Sequence, residues 1–245
     1  MPWWFHVVES AHELQNPTSV DKVRLLGERL RLGPRSRVLD VGSGRGGPAL
    51  VLAHAFGCRI TCVERSEEFL GDARRRVLEA GLGELIDLVR ADGRDFQIEP
   101  EAYDAALCLG ASFIWGGLDA TLAALVPGVR PGGTVAIGEP YWRGWPLPAG
   151  FQPDADQDFR SLPAVVELFE SAHLAPIALI AASEDDWDRY ESQHWQSLEE
   201  WLAANPDAAD GEALAAEHER RRDEYLRVGR ELLGWAMLVG WRPLN

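Results

Sequence analysis

The chain has 245 residues and a mass of 27.1 kDa, with 46% apolar and 26% charged types, which fits one large globular domain and excludes a disordered, collagenous or disulfide-stapled chain. Acidic residues outnumber basic ones 39 to 24, a formal charge of −15 at pH 7; phosphate backbones and anionic lipid repel such a chain, so neither nucleic acid nor a membrane surface is expected as a partner. No apolar run reaches the roughly 18 residues of a membrane span, and Met1 to His6 lack the basic-then-apolar order of a secretory leader, so a cytoplasmic location is expected.

Along the chain, Thr18 and Asp21 form a capping-box pair ahead of Val20, Val23, Leu26 and Leu30 at helical spacing, and Gly33-Pro34 stops that helix. Residues 38–41 read as a short buried strand. The cluster Gly42-Ser43-Gly44-Arg45-Gly46-Gly47 follows, and then a helix to about Phe56. Residues 59–63 form a second strand, and Ser66 caps a helix carrying Phe69, Leu70, Ala73, Val77 and Ala80. Strands follow at 86–90, 104–109 and 134–139, with a helix at 118–125 and the turn Pro131-Gly132-Gly133 before the last. Residues 140–159 read as a Pro/Gly/aromatic loop, a length that usually signals function. A helix over 162–172 and a strand over 176–182 come next. Ser183 and Asp186 form a capping box for a helix to about Leu202, a long helix runs from 207 to 232, and residues 234–242 make a terminal strand.

Strands alternating with helices predict an α/β fold, a parallel sheet covered on both faces. The expected organisation is one domain over 1–245: an N-terminal cap helix segment (1–34), a cofactor-binding core (35–182), a helical insertion (183–233) and a terminal strand (234–245). Cys58, Cys62 and Cys108 are odd in number and lack CxxC or Cys/His spacing, so they are read as buried, inert thiols. No metal-ligand spacing of Asp, Glu or His stands out, and Asp185-Asp186 is explained as a negative first helical turn.

The glycine cluster fits two templates. As Gly42-x-Gly44-x-x-Gly47 with Glu64 about twenty residues on, it matches a dinucleotide fingerprint. As Asp40-x-Gly42-x-Gly44-x-Gly46 it matches a loop that holds S-adenosylmethionine. In both, bare backbone at a helix start receives the ligand. Asp40 separates them, since a carboxylate there repels a pyrophosphate but can anchor the ammonium end of a methionine moiety. Glu64, ending the second strand, can accept both ribose hydroxyls, and Asp92 after the third strand can take the adenine amine.

Residues 38–46, Glu64, Asp92-Gly93, 103–110 and 130–133 resemble, in order and spacing, the class I S-adenosylmethionine-dependent methyltransferases. The resemblance implies a Rossmann-like doubly wound seven-stranded sheet, its last strand antiparallel, with a helical cap. It implies S-adenosylmethionine as cofactor, held by Asp40, Gly42, Ser43, Gly44, Gly46, Glu64, Arg65, Asp92, Gly93 and Leu109. Gly138-Glu139-Pro140-Tyr141-Trp142, Asn16-Pro17 and Trp187-x-x-Tyr190 further resemble a bacterial subgroup whose substrates are poorly defined. A small-molecule methyl acceptor is expected, with a nicotinamide-dependent oxidoreductase and a noncatalytic binding protein as alternatives. Oligomeric state is left open.

Methyl transfer from a sulfonium is an in-line displacement, and alignment alone supplies on the order of 7–11 kcal/mol. A hydroxyl, thiol or ammonium acceptor also needs a base. The candidates are His194, Glu139 and Tyr141, with His6 and His12 behind them. Trp187, Tyr190, His194, Leu198 and Trp201 share one helix face. Trp3, Trp4, Phe5 and His6 add apolar surface that is expected to close over the pocket.

Overall fold

The apolar runs pair into one seven-stranded sheet of order β3-β2-β1-β4-β5-β7-β6. In this computed structural model, which describes residues 4–144, 146–149, 151–153 and 159–244, the strands are β1 (Arg37–Val41), β2 (Arg59–Glu64), β3 (Ile86–Arg90), β4 (Tyr103–Leu109), β5 (Val129–Trp142), β6 (Ala175–Ala181) and β7 (Leu233–Trp241). β1 to β5 pair in parallel, and β7 runs antiparallel to both β5 and β6. The Rossmann-like expectation therefore holds, including the reversed last strand. Trp3 and residues 154–158 of the expected loop lie outside the described residues.

Side chains alternate across each strand, so the sheet feeds two cores. Val38, Ile60, Cys62, Ala105 and Leu107 meet α2 (Val20–Arg29), α3 (Gly47–Phe56), α4 (Glu67–Glu79) and α7 (Glu184–Ala204) through Val23, Leu26, Leu52, Val77 and Trp187. Leu39, Val41, Val63, Ala106 and Cys108 meet α5 (Leu118–Leu125) and α6 (Leu162–Ser171) through Leu122, Leu125, Val165 and Phe169. With both faces covered, the central strands are buried nearly end to end rather than on alternate residues. The three cysteines are buried and free, and burial pushes the Cys58 thiol up to about 11.

Three sequence expectations need correction. Thr18 does not cap α2: its N–H donates to the Asn16 carbonyl at 2.7 Å and its own carbonyl accepts from Arg189, so the chain is still turning there. Ser19 is the cap, its hydroxyl accepting from Lys22 N–H at 3.3 Å. β5 does not end at Glu139 but continues to Trp142, because β7 pairs with it in unbroken register from Thr134↔Trp241 to Trp142↔Leu233. The helix expected over 207–232 begins only at Gly211, and its backbone then stays helical to Leu232 as α8 (Gly211–Glu224), a π-helical segment (Tyr225–Gly229) and α9 (Arg230–Leu232). The π segment carries Tyr225, whose ring stacks on Trp187 and whose hydroxyl donates to Asp188 at 2.7 Å. Such segments concentrate at functional sites. A short helix α1 (Phe5–Val8) precedes all of these.

Candidate active site

β1 delivers the chain into the glycine loop at the carboxyl edge of the sheet, where an open parallel sheet takes its ligands. Gly42, Gly44 and Gly46 have φ of +74°, +55° and +72°. A Cβ on Gly42 would lie 2.5 Å from the Ala111 methyl, and one on Gly44 would lie 2.2 Å from Gln15 Oε1. Conformation and space together demand glycine. Around this turn lies a cavity of about 230 Å³. Asp40, Gly42, Ser43 and Gly44 line it from β1, Glu64 and Arg65 from the end of β2, Asp92 and Gly93 from β3, and Leu109 to Ala111 from β4. Nine of the ten expected cofactor residues are therefore on its wall. Gly46 stands behind them as the left-handed N-cap of α3.

Two carboxylates set the electrostatics. Asp40 is buried, and its Oδ2 has no hydrogen-bond partner among the described residues. Burial, and then the charge of Glu64, raises it from 3.8 to about 7. A buried carboxyl lacking a partner is costly unless a cation comes to meet it. Glu64 is also buried: Oε2 accepts from Gly44 N–H at 3.0 Å and Oε1 from Ser66 N–H at 2.8 Å. It thus ties the glycine loop to the start of α4 and keeps lone pairs for the cavity. Asp92 is shared: Arg94 donates to both its oxygens at 3.0 and 2.8 Å, and Arg65 stands 3.7 Å away. Arg94 holds it far below the usual carboxylate range. A pyrophosphate laid along this loop would face Asp40 and Glu64; a ligand with an ammonium group and a ribose would be matched by them.

The cavity is roofed by the N-terminal segment. The Arg45 guanidinium is buried under it, donating to the carbonyls of Glu9 and His12 at 2.7 and 3.0 Å and to Asp72 at 2.9 Å. Gln15 Oε1 accepts from Arg45 N–H at 2.7 Å, and Asn16 Nδ2 donates to the Leu109 carbonyl at 3.1 Å. Phe5, Gln15 and Asn16 all line the cavity. Gln15 and Arg45 carried no signal in the sequence. Asn16 was visible only as part of Asn16-Pro17.

A second cavity, of about 610 Å³, lies beside the first and shares Phe5, Arg65 and Phe113 with it. Its far wall comes from the helical insertion: Tyr190, His194 and Trp195 of α7, His218 and Arg221 of α8, and Tyr225 of the π segment. Arg221 also stacks over the Trp4 ring at 5.6 Å. The candidate bases separate here. Glu139 and Tyr141 line neither cavity: Glu139 braces the turn after β4 by accepting from Ser112 N–H at 3.0 Å, and Tyr141 packs over Gly234 of β7. Burial raises the Glu139 carboxyl. His6 sits near the surface, 3.7 Å from Asp72. His12 is fully buried. His194 reaches the second cavity, but its Nε2 lies 2.9 Å from Glu9 Oε1; despite burial, Glu191 and Glu9 push it up to about 9. The sequence reading passed over His218. It also lines this cavity, its buried Nε2 has no partner among the described residues, and burial lowers its basicity so that the ring is neutral.

A doubly wound sheet with Asp-x-Gly-x-Gly-x-Gly after β1, an acidic residue ending β2 and another after β3 defines a class I nucleoside-cofactor site rather than a dinucleotide one. Comparison with known proteins agrees. A family model described as a methyltransferase domain matches residues 38–133. The uncharacterized protein YjhP of Escherichia coli K12 is 33% identical over 243 residues, 98% of each chain. A crystal structure of an SAM-dependent methyltransferase from Thiobacillus denitrificans, in complex with S-adenosyl-L-homocysteine, is 33% identical, covers 98% of both chains and superposes with a TM-score of 0.90. A counterpart from Geobacter sulfurreducens, with the same ligand, is 32% identical with a TM-score of 0.88 and 98% coverage of both chains. The chain belongs to the class I S-adenosylmethionine-dependent methyltransferases, and S-adenosylmethionine is its cofactor. The Asp40 Oδ2 without a partner among the described residues, the glycine cradle and the buried Glu64 all fit that group.

Proposed function

We propose that this methyltransferase acts on a small molecule bound in the second cavity, with Asp40 meeting the cofactor's ammonium group, Glu64 its ribose and the Asp92-Gly93 turn its base. The observation that carries the reading is the wall common to both cavities, Phe5, Arg65 and Phe113, which leaves acceptor and cofactor spaces adjoining. The cofactor supplies a methyl group already activated on a sulfonium. The protein's share is to hold, orient and exclude water. Asp40 and Glu64 fix the cofactor's two polar ends, and the strap from Glu9 to Asn16 shuts out solvent above it. The aromatic rings of Trp4, Phe5, Phe113 and Trp195 give the acceptor an apolar enclosure. His218, neutral and facing that space, takes the proton when the acceptor atom carries one. A relative, 27-O-demethylrifamycin SV methyltransferase of Amycolatopsis mediterranei, 27% identical over 225 residues and covering 90% of this chain and 82% of its own, bears the name of a small-molecule acceptor, which supports the same class here. The net charge of −15 argues against RNA or DNA in this space.

The test is methyl transfer from radiolabelled S-adenosylmethionine to cell extract separated by size. Label is expected in the low-molecular-weight fraction, and lost when Phe113→Arg fills the passage. Label confined to protein or nucleic acid would overturn the proposal.

A further inference from the structure

Glu9, His12 and His194 meet where the segment after α1 crosses the middle of α7. Glu9 and His12 are 0% and 1% exposed, and one ligating atom from each of the three lies within 4.8 Å of the others. The hydrogen bonds around them leave a defined gap. His12 Nε2 lies 2.9 Å from the Tyr190 carbonyl, an acceptor only, so this nitrogen carries the proton. In the neutral ring Nδ1 then points a lone pair at Glu9 Oε2, 3.7 Å away. Neither atom has a partner among the described residues. Two buried lone pairs facing each other call for a positive centre between them. A separation of 3.7 Å matches an ion about 2.0–2.1 Å from each, slightly off the line joining them.

The surroundings repeat what is found behind metal-bound imidazoles. His12 donates its other ring proton to a backbone carbonyl, and His194 Nδ1 faces the Glu191 carboxylate at 4.0 Å. Glu9 Oε1 accepts from the Tyr190 hydroxyl at 2.9 Å, which orients the carboxylate. Charge also balances: a divalent ion with both rings neutral offsets Glu9 and Glu191.

We propose that Glu9, His12 and His194 bind a first-row divalent metal ion, with zinc suited best by two imidazole nitrogens and one carboxylate oxygen. On binding, the proton that His194 Nε2 shares with Glu9 leaves to solvent, and the ring turns a lone pair to the metal. Three protein ligands leave one tetrahedral position open. The ion joins the N-terminal strap to α7 and so fixes the roof of both cavities. Cys62 of β2, Cys108 of β4 and Cys58 just before β2 hold their protons by burial, so they offer no rival thiolate set.

The experiment strips the full-length chain with chelator and titrates it with zinc chloride alone by calorimetry, then repeats the titration on Glu9→Gln and His12→Asn. Uptake of one zinc per chain is expected, weakened at least about 100-fold in each variant, with zinc raising the Tm of the parent and not of the variants. Lack of stoichiometric uptake by the parent, or undiminished uptake by a folded Glu9→Gln chain, overturns the proposal. If both variants fail to fold, cobalt(II) on the parent decides: visible bands of a tetrahedral nitrogen–oxygen site support it, and a sulfur-to-cobalt charge-transfer band refutes it.

Discussion

Replacing Glu64 probes the cofactor site most directly. Its carboxylate accepts from Gly44 N–H at 3.0 Å and from Ser66 N–H at 2.8 Å while lining the cavity. A hydrogen bond to a charged group contributes about 1.5–3 kcal/mol, and water recovers part of that once the side chain is gone. Glu64→Ala is therefore expected to weaken S-adenosyl-L-homocysteine binding by about 1–3 kcal/mol, roughly 5- to 150-fold in Kd. Glu64→Gln is not a neutral control: its amide NH₂ would face one of the two backbone donors that the carboxylate now satisfies. Loop support and ribose contact are separated by titrating parent and Glu64→Ala with S-adenosyl-L-homocysteine and with its 2′-deoxy analogue. If Glu64 grips the sugar, the parent prefers the hydroxylated ligand and the variant does not, a coupling of at least about 1 kcal/mol. Equal losses for both ligands would mean that Glu64 only holds the loop, and would refute the ribose assignment.

Three further outcomes are expected. Asp40 is raised from 3.8 to about 7 in the free protein, so an ammonium-bearing ligand must bind against a proton below that value. Affinity for S-adenosyl-L-homocysteine should tighten by up to about tenfold per pH unit as pH rises towards 7. Because the fold favours the neutral acid, stability should fall over the same rise from about pH 4 to 7, and Asp40→Asn should flatten both profiles in calorimetry and thermal melts. His218→Gln should lower kcat by about 10²–10⁴-fold on a proton-bearing acceptor while leaving cofactor Kd unchanged; an unaltered rate removes it as proton acceptor. Gly27 of α2 packs on α3 so closely that a Cβ would lie 2.1 Å from the Phe56 ring and 2.8 Å from Leu52 Cδ2. Gly27→Ala should therefore destabilise by about 1–3 kcal/mol in urea melts, against a helix-propensity gain near 1 kcal/mol; a stabilised variant would contradict that close approach.

The strands and the glycine loop were readable because both are local: an apolar run of fixed length, and three glycines where backbone must take positive φ. What the sequence withheld depends on partners far along the chain. β5 runs to Trp142 because β7 lies opposite, more than ninety residues later. Arg45 looks like a solvated loop charge until the Glu9 and His12 carbonyls close over it. Glu9 and His194 are 185 positions apart, so no spacing rule unites them. Tyr141 and Glu139 drew attention through their motif, yet strand alternation and the β7 pairing turn them to structural tasks. His218 escaped notice because its value lies in a nitrogen that tertiary packing leaves unpaired among the described residues.

The place of β7 between β5 and β6 bears on how this protein is born. Until residues 233–241 have left the ribosome, β5, already paired with β4 on one side, presents a bare hydrogen-bonding edge on the other, and β6 has no strand to join, since β7 alone links it to the sheet. Unpaired edges of this kind template association between nascent chains. The nascent chain thus carries an open edge for the whole interval before β7 arrives, and closing it is the step that completes the sheet.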